Sequence, residues 1–113
     1  MKTKVRDVGA VRILDCEGKI TIGSGDVELR QQIEDAVNAG HTNLLLNLKA
    51  VTHIDSSGIG ELVGCYTTIA RKGGKMKLLN LTPKINDILH VTQLITVFDV
   101  FDNEAEAIGS FKS

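Results

Sequence analysis

The segment Asn43-Leu44-Leu45-Leu46-Asn47-Leu48 carries four leucines with no polar alternation at its centre. A strand of that kind has no side to offer to water, so it belongs in the middle of a sheet covered on both faces. The flanking sequence supplies the covers. After Gly25, Leu29, Ile33, Ala36 and Val37 recur at helical spacing, with Glu28, Arg30, Gln31 and Glu34 outside, and Gly40 ends the pattern. From about Ser56 to Lys72, Ile59, Leu62, Val63, Tyr66, Ile69 and Ala70 form a second apolar stripe, ended by Gly73-Gly74.

The same alternation extends in both directions. Lys4–Val8 and Val11–Cys16 read as strands joined by Gly9-Ala10, and Lys19–Ile22 reads as a further extended piece after Gly18. Together they predict an edge β-ribbon. Ser24 or Asp26 is expected to cap the first helix. Lys75–Leu81 is the next strand, and Thr82-Pro83 starts a short helix with Ile85, Ile88 and Leu89 on its buried side. Val97–Phe101 is the last strand, and Asp102 or Asn103 caps a terminal helix bearing Ala107, Ile108 and Phe111. The order predicts one α/β domain over residues 1–113, with a mixed, mostly parallel sheet and right-handed crossovers.

Composition narrows the function. About a third of the chain is Val, Ile, Leu or Phe, enough to escape the ~20% that marks disorder. The net charge of −1 gives no basic excess for nucleic acid, and three Phe, one Tyr and no Trp build no stacking platform. No apolar run approaches the ~20 residues of a membrane span, and charges in the first ten residues argue against a signal peptide. Cys16 and Cys65 lack ligand-spaced partners, which predicts reduced thiols, no metal site and a cytoplasmic protein.

Functional groups of parallel sheets gather at the carboxyl ends of strands, here the stretch His53-Ile54-Asp55-Ser56-Ser57-Gly58-Ile59-Gly60. Two hydroxyls and a carboxylate meet the start of a helix, where amides lack internal partners and the dipole favours negative charge. A phosphate on Ser56 or Ser57 would find free N–H donors there, and Gly58 and Gly60 would leave the approach open. Helix capping alone would account for Asp-Ser-Ser as well.

The stretch Asn47–Gly60, with Asp55-Ser56-Ser57-Gly58-Ile59-Gly60 at its end, resembles the signature of STAS domains, and among them the bacterial anti-sigma factor antagonists. Gly73-Gly74, the Pro83-started helix and Phe98-Asp99-Val100-Phe101 fit as well, so the resemblance spans essentially the whole chain. It implies the STAS fold, with an N-terminal β-ribbon and helices mainly on one face of the sheet. It also implies a non-enzymatic regulator of transcription, as in a stress response, that works by partner switching. In that scheme the unmodified protein binds an anti-sigma factor with a GHKL-type serine kinase fold and frees the sigma factor. Phosphorylation of the serine before the glycine, here Ser57, breaks the complex, and a PP2C-type phosphatase restores it. Asp55 is the acid implicated beside it; Ser56, Gly58, His53, Gly60 and Glu61 would complete the phosphosite and partner surface. The family needs no cofactor of its own, and the chain is expected to be a monomer or weak dimer. The alternative is a STAS scaffold or sensor module that recruits protein partners without a phospho-switch.

Three other features take simpler readings. His53 could pair with a serine, but the glycine pattern is not that of a hydrolase elbow and no third orienting group follows. Asp55 could be a receiver aspartate, but the chain opens with a strand pair and Val97–Phe101 holds no lysine. Gly23-Ser24-Gly25 lacks the rest of a phosphate loop, and Arg71, Lys72, Lys75 and Lys77 read as solvated charge.

Overall fold

A computed structural model describes residues 1–112. Nine regular elements follow the chain: β1 (Lys2–Val8), β2 (Val11–Ile20), α1 (Asp26–Asn38), β3 (Asn43–Ile54), α2 (Ser56–Arg71), β4 (Lys75–Leu79), α3 (Pro83–Val91), β5 (Val100–Phe101) and α4 (Glu104–Ser110). The five strands stand in sequence order, β1-β2-β3-β4-β5. β1 runs antiparallel to β2, forming the expected ribbon, and every other pairing is parallel.

The apolar run does what its composition requires. Leu44, Leu46 and Leu48 enter a large core with α1, α2 and α3, built around Leu29, Ile33, Leu62, Ile69, Ile85 and Leu89. Leu45 points the other way, into a smaller core with Val11, Ile13, Leu79 and the α4 residues Ala107 and Phe111. Three helices thus cover one face and one short helix covers part of the other, as expected. β2 is buried on both faces too, since Val11 and Ile13 join the smaller core while Leu14 and Cys16 join the larger.

Some boundaries differ from the sequence reading. β2 does not stop at Cys16; it continues through Gly18 to Ile20 because register shifts at Asp15/Glu17 and Gly18/Lys19 absorb the break as bulges. Thr21 and Ile22 turn away instead of extending the strand. β3 runs on to Ile54, since its ladder with β2 holds as far as Ile20↔Ile54. β4 ends at Leu79, where Asn80 takes φ 58. The last strand shrinks to Val100–Phe101; a 3-10 turn, Leu94–Thr96, precedes it, and Phe98 leaves the sheet line to pack edge-on against Tyr66 at 5.4 Å. Neither Ser24 nor Asp26 caps α1: Gly25 holds that place at φ 93, with its N–H donating to the Glu28 carboxylate at 3.0 Å. Thr82 caps α3 and Asn103 caps α4 as read, accepting from Ile85 N–H at 3.3 Å and Glu106 N–H at 2.9 Å.

The outer face beyond α4 is held by polar groups. Arg6 grips Asp15 with two donors at 2.7 and 3.0 Å and reaches Glu104 at 2.6 Å. Asn47 donates to Asp15 at 2.9 Å and accepts from Asn80 at 3.2 Å, so three strands, the turn after β4 and α4 share one network.

Candidate functional site

The parallel pairing Ile20↔Ile54 brings the carboxyl ends of β2 and β3 side by side. The two exits, Thr21-Ile22 and Asp55-Ser56-Ser57, therefore meet although 33 residues separate Ile22 from Asp55. Asp55 joins them. Its Oδ1 accepts from Gly58 N–H at 2.9 Å, capping α2, and its Oδ2 accepts from Ile22 N–H at 3.0 Å. These backbone donors, Ile22 foremost, hold the Asp55 carboxyl below the usual carboxylate range. The anion place at this helix start is thus already filled by the protein's own carboxylate, and a phosphate would not find all the free donors that spacing alone suggested.

Gly58 also has a role unlike the expected one. A Cβ built on it would overlap the Ile20 carbonyl oxygen and lie 2.8 Å from Ile54 Cγ1. Gly58 permits α2 to touch the end of β2; it does not open a path for a ligand. Gly60 is exposed with open space about it, as read.

The two serines part company. Ser56 is exposed and Ser57 half-buried. Ser57 and Glu61 are one helical turn apart and share a face. That face looks at α1: Glu61, Gly64, Cys65 and Thr68 line a groove of about 230 Å³ with Arg30, Ile33 and Glu34. Glu61 takes a two-pronged ion pair from Arg30, Nε to Oε1 at 3.0 Å and Nη2 to Oε2 at 2.9 Å. Ser56, about 140° from Glu61 around the helix by 100° per residue, points elsewhere.

The structure therefore gathers Asp55, Ser57, Gly58 and Glu61, and does not gather His53. His53 pairs in register with Lys19, and its Nδ1 lies 3.0 Å from Thr52 Oγ1, not from a serine. His53 is exposed, just after a register shift that interrupts the β2–β3 ladder.

Sequence reasoning passed over Ile22, Val27 and Arg30. Ile22, whose N–H meets Asp55, and Val27, in the first turn of α1, are 75% and 57% exposed, unusual for apolar side chains. Only the β2–β3 register could have revealed them, and that register depends on bulges the sequence does not announce. Among the described residues, no helix is long and apolar enough to cross a membrane.

Comparison with known proteins agrees with this geometry. The STAS domain family model matches residues 2–107. The anti-sigma-B factor antagonist of Bacillus subtilis is 31% identical over 83 residues, 74% of either chain. The crystal structure of an anti-sigma factor antagonist from Mycobacterium paratuberculosis superposes with TM-score 0.87 at 21% identity, covering 99% of this chain and 94% of that one. The phosphorylated form of the Bacillus cell fate determinant SpoIIAA superposes with TM-score 0.74 at 22% identity, covering 96% and 98%. The family model matches nearly the whole chain, the five-stranded sheet agrees with the superposed structures, and the chain belongs to the STAS domain family.

Proposed function

We propose that the protein is an anti-sigma factor antagonist whose binding is switched off by phosphorylation of Ser57. The observation that carries this reading is the placement of Ser57. It stands half-buried in the first turn of α2, at the carboxyl end of the central strand, on a turn clamped by Asp55 to Ile22 and Gly58. A clamped turn changes its charge without changing its shape. The unmodified surface, with exposed Ile22 beside Asp55 and exposed Val27 in the first turn of α1, offers apolar contact area to a protein partner. That partner is an anti-sigma factor, in keeping with the names of the relatives, and in this reading it has a GHKL-type serine kinase fold.

Phosphorylation adds about −1.5 to −2 charge at pH 7. It does so next to the carboxylates of Asp55 and Glu61. At a closed interface this charge loses its water and meets whatever faces it, so the complex is repelled while the free domain keeps its fold. A PP2C-type phosphatase would restore the binding form. The protein is the substrate of the kinase and has no catalysis of its own in this scheme; ATP and Mg²⁺ belong to the kinase. Asp55, Ser56, Gly58, Gly60 and Glu61 frame the site, and His53 lies outside it.

The test is phosphate mapping by intact and peptide mass spectrometry after incubation with ATP, Mg²⁺ and the GHKL kinase of the same genome. One phosphate on Ser57, lost in Ser57→Ala and kept in Ser56→Ala, is the expected result. No phosphate from a kinase active on another substrate would overturn the switch and favour a STAS scaffold that recruits partners unmodified.

A further inference from the structure

The Arg30–Glu61 pair leaves half of a guanidinium unused. Arg30 spends its side edge, Nε–H and one Nη2–H, on the two Glu61 oxygens. Its end edge, Nη1 and the second Nη2–H, has no partner among the described residues. That geometry suits a second oxyanion held in the same plane.

Ser57 is the next residue up the α1-facing stripe of α2, with about 5–6 Å between Cβ atoms at this spacing. The rest of the neighbourhood is acidic. Asp55 has already claimed the Gly58 and Ile22 amides. Asp26 and Glu34 stand near enough to Arg30 to act on its charge, together with Glu61. A doubly charged phosphate on Ser57 would stand two residues from Asp55 and one helical turn from Glu61, with Arg30 as the cation already braced on Glu61. Glu61, only 15% exposed, fixes where the Arg30 fork points.

We propose that Arg30 is the phosphate clamp of this domain: with Glu61 still on its side edge, its free end edge receives a phosphate carried by Ser57. This rests on the reading that Ser57 is the phosphoacceptor. The clamp ties the first turn of α2 to α1 and keeps the modified form compact. It also turns the phosphate toward the α1–α2 groove. Arg30 is a positioning residue here; it does no chemistry.

The test does not need the natural kinase. Phosphoserine is installed at position 57 during translation, and the phosphate is titrated by ³¹P NMR. An unclamped phosphoserine loses its second proton near pH 6. An exposed ion pair of 0.2–1 kcal/mol corresponds to roughly 0.2–0.7 pH units, so Arg30→Gln should raise the midpoint by about that much. Arg71→Gln, at the far end of α2, removes the same charge some ~20 Å away, beyond the screening length, and should leave the midpoint in place. In the wild-type background the Arg30 Nε–H cross-peak should move with the phosphate titration. Arg30 is 53% exposed, so its loss leaves the fold intact, which circular dichroism checks. A midpoint unmoved by Arg30→Gln, or moved equally by Arg71→Gln, would overturn the clamp. Failure of the kinase to modify Ser57 is a separate result and would overturn the switch alone.

Discussion

Gly58→Ala should destabilise this protein, although glycine-to-alanine changes inside helices ordinarily stabilise. Alanine gains up to about 1 kcal/mol over glycine in a helix interior. At Gly58 that gain is outweighed. The added methyl would overlap the Ile20 carbonyl oxygen and sit 2.8 Å from Ile54 Cγ1 and 2.9 Å from the Ile20 carbonyl carbon. Two of these three atoms are backbone of β2, held by its ladder to β3, so they cannot rotate out of the way as the Ile54 side chain could. Overpacking typically costs 1–3 kcal/mol, and a backbone neighbour places this case at about 3. The net loss is then about 2 kcal/mol, or about 8 °C in melting temperature for a chain of this size. Gly60→Ala and Gly64→Ala are the controls. Both lie in α2 with nothing within 4 Å of the new methyl, so each should gain up to about 1 kcal/mol. Urea unfolding followed by far-ultraviolet circular dichroism reads all three. A Gly58→Ala protein as stable as the parent would refute the claim that α2 rests directly on the end of β2. The turn holding Asp55 and Ser57 would then lack the rigidity assigned to it.

Three further outcomes follow from other parts of the molecule. Asp15, held down mainly by the Arg6 hydrogen bonds, and Asp55, held down mainly by the Ile22 amide, both have folded-state pKa values below the unfolded carboxylate value of about 4. Their stabilisation is therefore present above pH 4 and drains away as pH falls through the depressed folded values; Asp15→Asn should flatten that acid limb in a pH series of urea midpoints. Gln93 adopts φ 61 without a hydrogen bond from its side chain among the described residues, so Gln93→Gly should gain about 0.5–1 kcal/mol, whereas Asn80→Gly, which forfeits the bond to Asn47, should gain less. Burial pushes the Cys16 and Cys65 thiols up to about 12, so neither should react with Ellman's reagent at pH 8 until the protein is unfolded in urea.

What was legible in the sequence was what local periodicity encodes. The run Leu44–Leu48 announced a doubly covered strand, and Thr82-Pro83 and Asn103 marked their helix starts because capping is a local matter. The bulged half of β2 was not legible, because a glycine that breaks alternation reads as an end whether or not the ladder resumes. Val97–Phe101 misled for a related reason: its apolar residues suit a strand, but Phe98 is drawn into the helix-side core by Tyr66 and only two residues pair with β4. At the site, Asp55 and Ser57 were visible as a motif. The bond from Ile22, the contact under Gly58 and the Arg30–Glu61 fork were not, since each joins segments that only the register of β2 on β3 brings together.

One phosphate on Ser57 is expected to turn binding off without unfolding the domain. The direct measurement is the affinity of the unmodified and the phosphoserine-57 proteins for the GHKL anti-sigma factor of the same genome, by calorimetry, with both melting temperatures recorded. A charge trapped against like charge costs several kcal/mol, so phosphorylation should weaken binding roughly a hundredfold or more with nearly unchanged melting. Equal affinities, or a loss matched by a collapse in melting temperature, would contradict it.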